Sequence, residues 1–171
     1  MNLEICAMDR NAPPAGLLDD PTIFVSRLSP IIYPPWVTEV LHREYEHVGL
    51  NEYHPLSVQF WYAIEQKSKD VKGHVIYEQI VAENLIHECL DLRDLWAIFA
   101  KGRHFFPLHF GDVMLYAWKS AVKEKSGHIC VPFLMLFQGV MLTIDWQWLD
   151  LSWGQSCPAG KFSTKTLQSA V

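Results

Sequence analysis

Along this chain the spacing of apolar and polar positions changes character near residue 34. The first 30 residues are irregular, broken by Pro13, Pro14, Gly16, Pro21 and Pro30, with one short apolar run at Ile23, Phe24 and Val25 that has strand length. Beyond Pro34, apolar residues recur at intervals of three and four, the spacing that gives a helix one apolar face. Pro35 suits a first helical turn, and residues 36–48 hold helical spacing until Gly49 stops it. Pro55 opens a second run over 56–67, carrying Phe60, Trp61, Tyr62 and Ile64. Residues 75–90 form the longest periodic stretch and continue, or kink, into 91–101 before Gly102. Asp112 is placed to cap a helix over 113–125, which Gly127 ends, while Pro107 argues against a helix through the aromatic loop 102–111. The apolar run 131–151 reads either as a helix entered at Pro132 or as a hairpin turning at Gln138 and Gly139; the helix is preferred.

These elements predict a mainly α fold: a compact helical bundle-like single domain of five or six helices, with room for one short strand pair. An irregular N-terminal arm over 1–30 precedes a helical core over 31–151. The Gly, Ser, Thr, Lys and Gln that follow predict a flexible tail over 152–171.

Composition narrows the function. Half of the 171 residues are hydrophobic, 13% are aromatic and only 19% are charged, so the folded chain has unusually little charge with which to cover its surface. The net charge of -5 and the scattered Lys and Arg argue against nucleic acid, which demands clustered cations. Cys6, Cys89, Cys130 and Cys157 lie far apart without a C-x-x-C pair, which speaks against a structural zinc site or a disulfide scaffold. The N-terminus has acids at Glu4 and Asp9 and no basic segment leading into an apolar one, so no secretory signal is expected, and a cytoplasmic location follows. The apolar stretch 129–144 is too short for a membrane span of roughly 20 residues.

Helical projection isolates one polar anomaly. On 75–90, Glu83 and His87 fall among Ile76, Ile80, Ile86 and Leu90; on 36–48, Glu44 and His47 fall among Val37, Val40, Leu41 and Val48. Buried carboxylates need partners, so these groups either form a core hydrogen-bond network or hold Zn, Fe or Mn inside a bundle, where a Glu-x-x-His spacing is familiar. His104 and His109 are candidate additional ligands or acid–base groups. Ser120 and Lys123 match S-x-x-K without the rest of that catalytic set, and His128 with Cys130 share a face only on an extended backbone. Trp146, Trp148 and Trp153, together with Phe105 and Phe106, form an aromatic set suited to a protein interface. The pattern points to a non-catalytic binding protein of inhibitor, immunity or adaptor type, acting on another protein or on a second copy of itself. A helical metal-binding protein or metalloenzyme using Glu44, His47, Glu83 and His87 is the alternative.

Overall fold

The computed structural model describes residues 20–168; most of the expected arm over 1–30, Cys6 included, lies outside them. The fold is mixed, 30% helical and 28% strand, and the expected helical bundle is not what forms. Strands β1 (Ile23–Phe24), β2 (Val37–Val40), β3 (Glu52–Tyr53), β4 (Gln59–Trp61) and β5 (Val71–Lys72) lead to helix α1 (Gly73–Ala82). Helices α2 (Leu92–Ala100) and α3 (Phe105–Phe110) follow, then β6 (Leu115–Tyr116), β7 (Val122–Glu124), β8 (Ile129–Phe137) and β9 (Met141–Trp148). The chain closes with β10 (Ser152–Trp153), β11 (Ala159–Lys161) and α4 (Thr164–Gln168).

Seven strands build the main sheet in the order β2-β7-β8-β6-β11-β4, with β9 lying along the other side of β8. All pairings in it are antiparallel except that of β11 with β6. Two small ribbons, β1 with β3 and β10 with β5, lie outside it. Both faces of the sheet are covered. Alternate residues Leu134, Leu136, Leu142, Ile144 and Trp146 join one apolar cluster with Leu92, Leu95 and Ile98 of α2 and Phe105, Phe106 and Phe110 of α3. The intervening Val131, Phe133 and Met135 join a second cluster with Ile76 and Ile80 of α1, Trp118 and Trp153.

Double coverage explains the largest departure from the expected helices. A strand buried on both faces has no polar side, so β8 reads Ile-Cys-Val-Pro-Phe-Leu-Met-Leu-Phe, and periodicity cannot separate it from a buried helix. The hairpin reading of 131–151 is the one the chain adopts. Its turn places Gln138 and Gly139 at positive φ, 52° and 69°, the geometry such short connections demand. Pro132 is tolerated in β8 because its carbonyl, which receives the Ala117 N–H at 3.0 Å, and its missing donor face away from β9.

The other expected helices divide. Residues 91–101 do contain a helix, α2. Residues 36–48 hold β2 and a 3-10 turn; 56–67 hold parts of two such turns around β4; and 113–125 hold β6, a turn and β7. Over 75–90 the helix ends at Ala82, where Asn84 turns to φ 54°. Pro107 sits inside α3, but in its first turn, where no intrahelical N–H is needed. Residues 152–168, expected as a tail, supply β10, β11 and α4, and bury Trp153, Cys157 and Phe162. Among the described residues, no helix is long and apolar enough to cross a membrane.

Trp153 shows how much this closing segment carries. It is fully buried, with the Tyr116 and Trp118 rings 4.1 and 5.2 Å away. Trp153→Ala should lower unfolding free energy by about 3–5 kcal/mol in urea titrations, and a loss under ~1 kcal/mol would contradict this packing.

Candidate functional site

The sequence Asp91-Leu-Arg-Asp at the start of α2 makes a reciprocal cap. The Asp91 carboxylate accepts the N–H groups of Arg93 and Asp94 at 2.8 and 3.2 Å, and Asp94 accepts the Asp91 N–H at 2.9 Å. Both carboxylates are fully buried, an arrangement that needs cations. Arg27 supplies the first, donating to Asp91 at 2.8 Å and to both Asp94 oxygens at 2.6 and 3.0 Å. Its Nε donates to the Leu50 carbonyl at 3.0 Å. Arg93 supplies the second, reaching Asp91 at 2.8 Å and the carbonyls of Arg27 and Ser29 at 2.7 and 3.0 Å. Close by, the buried Lys119 ammonium donates to the Val48 carbonyl at 2.7 Å. Gly49, at φ 148°, lets Arg27 through: a Cβ there would lie 2.6 Å from the guanidinium carbon.

The charges set one another. Burial works against the Arg27 guanidinium, yet Asp94 and Asp91 hold it above its ordinary value. Burial works to raise the Asp91 carboxyl, but Arg27 and Arg93 outweigh it and keep it below the usual aspartate range. Asp94, beside Asp91, is pushed up by burial against the pull of Arg27. Burial likewise pushes the Lys119 ammonium down, opposed by the two aspartates.

This ionic frame fixes segment 23–33 against α2 and leaves an apolar groove between them. A cavity of about 590 Å³ runs between Phe24, Ile31 and Ile32 on one side and Trp96 and Ala97 on the other. A second, of about 280 Å³, continues from Ile32 and Trp96 to Ile144 and Trp146 of β9. Trp146 is held there by the ring of Trp36, edge-on at 5.2 Å. Phe24, Ile32 and Trp96 are 62%, 86% and 53% exposed, large apolar side chains turned to solvent along these two cavities, which share Ile32 and Trp96.

Of the aromatic residues singled out from sequence, Trp146 lines this groove. Trp148 is exposed elsewhere, stacked on His128 at 5.6 Å. Trp153, Phe105 and Phe106 are buried and serve the core. The proposed metal pairs do not assemble. Segment 36–48 is not a helix, so Glu44 is exposed, 3.9 Å from His42, while His47 donates to the Arg27 carbonyl at 3.3 Å. Glu83 and His87 lie past the end of α1; Glu83 accepts from Gln79 at 2.7 Å and His87 packs against Tyr45. No group of three or more His, Cys, Asp or Glu among the described residues could hold a metal ion.

The remaining motifs have structural roles. Ser120 accepts the Leu92 N–H and Lys123 pairs with Glu39. Burial, aided by Glu124, pushes the Cys130 thiol up to about 11, which is the reverse of what a nucleophile needs. His109 rests on the Phe105 ring at 4.3 Å, and His104 takes a contact from Arg103. Sequence reading missed Trp96, Ile32, Phe24 and Arg27. For Trp96 a signal existed: it falls off the Leu92, Leu95, Ile98 stripe of its own helix. For Arg27 none did, because its partners lie 64 and 67 residues away. Compared with models of known protein families, with curated proteins and with solved structures, the chain matches none.

Arg27→Met would leave the buried Asp94 without its cation and Asp91 with Arg93 alone, and should cost about 3–5 kcal/mol at neutral pH. Asp94, already pushed up by burial and now without Arg27, would titrate further above its unfolded value of about 3.9, so protonation favours the folded variant and its deficit shrinks on acidification. In the native chain the depressed Asp91 contributes stability above that value and loses it as pH falls further. Parallel denaturant titrations from pH 7 to 4 measure this; a deficit that stays constant would contradict it.

Proposed function

We propose that the chain is a non-catalytic protein-binding factor, of inhibitor, immunity or adaptor type, whose docking surface is the groove between segment 23–33 and α2. The observation that carries this reading is the set Phe24, Ile32, Trp96 and Trp146 lining two cavities that share Ile32 and Trp96, three of the four more than half exposed. Large aromatic and aliphatic anchors in a concave setting are where binding energy concentrates at protein interfaces. The ionic frame beneath adds a second element. Arg27 and Arg93 hold the groove wall by several hydrogen bonds each, so little ordering entropy remains to be lost on binding.

On this reading the mechanism is occlusion or locking of a partner whose apolar side chains enter the groove. The low charged fraction of 19% supports a surface that is covered in use, by another protein or by self-association. A cytoplasmic setting agrees with the buried free thiols of Cys89, Cys130 and Cys157.

Affinity purification from the cells that make the chain tests the assignment. Trp96→Ala with Ile32→Ser should weaken recovery of the partner by about 30-fold or more, the scale of a hot spot, whereas Trp148→Ala should leave it unchanged. All variants should keep the native circular dichroism. Equal recovery by the groove variant and the native chain would remove this surface from consideration.

A further inference from the structure

We infer that the free edge of β9 accepts an extended, basic segment of a partner protein as an added strand. This rests on the reading of the adjoining groove as a docking surface and specifies the partner's conformation and charge. The phase of the β8–β9 hairpin is fixed by its register, Phe133 opposite Asp145, and by the Leu149 N–H donating to the Ile129 carbonyl at 3.0 Å. Odd-numbered residues of β9 therefore bond to β8. Leu142, Ile144, Trp146 and Trp148 direct their N–H and C=O groups the other way.

The Trp148 carbonyl is taken by the Leu151 N–H at 3.1 Å, and the Trp146 N–H by its neighbour Asp145 at 2.8 Å. β9 pairs with β8 alone among the described strands, and no main-chain partner among the described residues meets the outward groups of Leu142 and Ile144 or the Trp146 carbonyl. A row of alternating donors and acceptors at strand spacing is matched by another strand, which is how exposed edges recruit peptides. Edges that avoid this carry Pro, Lys or several charges. Across Met141–Trp148 there is neither Pro nor Lys, and Asp145 is the single ionised side chain.

Asp145 selects the occupant. Its carboxylate holds the place of an incoming carbonyl on the Trp146 N–H, and a strand that takes that donor frees the carboxylate for a cation opposite it. A second copy in the register that matches Ile144 with Trp146 sets Asp145 against Asp145, a like-charge pair that disfavours it. A basic segment has no such cost. The groove supplies the side-chain contacts: Ile144 and Trp146 face the cavity of about 280 Å³ shared with Ile32 and Trp96, so alternate residues of the added strand enter it.

The test is amide exchange by NMR on the full chain, with an end-capped octapeptide alternating valine and threonine and carrying one central lysine. The Leu142 and Ile144 amides should exchange freely alone and slow by about tenfold or more at saturating peptide. Methylating the peptide nitrogens on its docking edge should abolish binding. Replacing its lysine by glutamate should weaken binding by about fivefold or more, and Asp145→Lys should reverse that preference. Amides already protected without peptide, protection that rises with protein concentration alone, no peptide binding at millimolar levels, or binding that leaves these amides unprotected would each overturn the inference. A natural partner that is lost on Trp96→Ala with Ile32→Ser, yet leaves Leu142 and Ile144 unprotected in its complex, would overturn strand addition and leave groove docking standing. A partner indifferent to the groove variant would defeat the docking reading itself.

Discussion

Two carboxylates without access to water, Asp91 and Asp94, begin helix α2, and the guanidinium of Arg27, from 64 residues earlier in the chain, neutralises them together with that of Arg93. Either acid left alone in such a place would cost several kcal/mol, so the Arg27 segment and the helix stand or fall together. The same guanidinium holds the Leu50 carbonyl, Arg93 holds the carbonyls of Arg27 and Ser29, and Lys119 holds that of Val48. The irregular stretches that follow β1 and precede β3 are thereby fixed by side chains where they lack a ladder of their own. The groove inherits its shape from this frame, since one of its walls is the segment Arg27 anchors.

The main sheet has the complementary role. With apolar clusters on both faces, it sets α1 on one side and α2 with α3 on the other, and leaves the β9 edge beside the groove. The apolar anchors of the groove and the edge main-chain groups that no described residue pairs therefore adjoin. Side-chain specificity and backbone hydrogen bonding are the two components of strand recognition, and here they share Ile144 and Trp146.

How far this was legible in the sequence depends on where the determining contacts lie. α2 could be read from spacing because its stripe of Leu92, Leu95 and Ile98 is local, whereas the charge that holds its Asp91 and Asp94 cap comes from Arg27, far away in sequence. β8 could not be distinguished from a helix, since burial on both faces erases alternation, and only Gln138 and Gly139 hinted at the turn. The Glu44, His47, Glu83 and His87 set came from projecting helices onto residues that form a 3-10 turn and the end of α1, so its apparent interior faces do not exist. Trp146 was found because aromatic residues mark interfaces wherever they occur. Trp153, Phe105 and Phe106 show the converse, that the same residue types fill cores, and composition cannot divide the two uses.

The position of β11 bears on how the chain reaches this state. Ala159–Lys161 lies between β6 and β4 and, among the described residues, is the only strand that joins β4 to the sheet. Until those residues have been synthesised, β4 has no neighbour, and Leu90 and Leu115, which pack against Gly160, face an open slot. On the ribosome the strand that brings β4 into the sheet is thus made after all the others described. Residues of β4 therefore join the main sheet only once a strand made about a hundred positions later is in place, whereas β2, β6, β7, β8 and β9 pair without it.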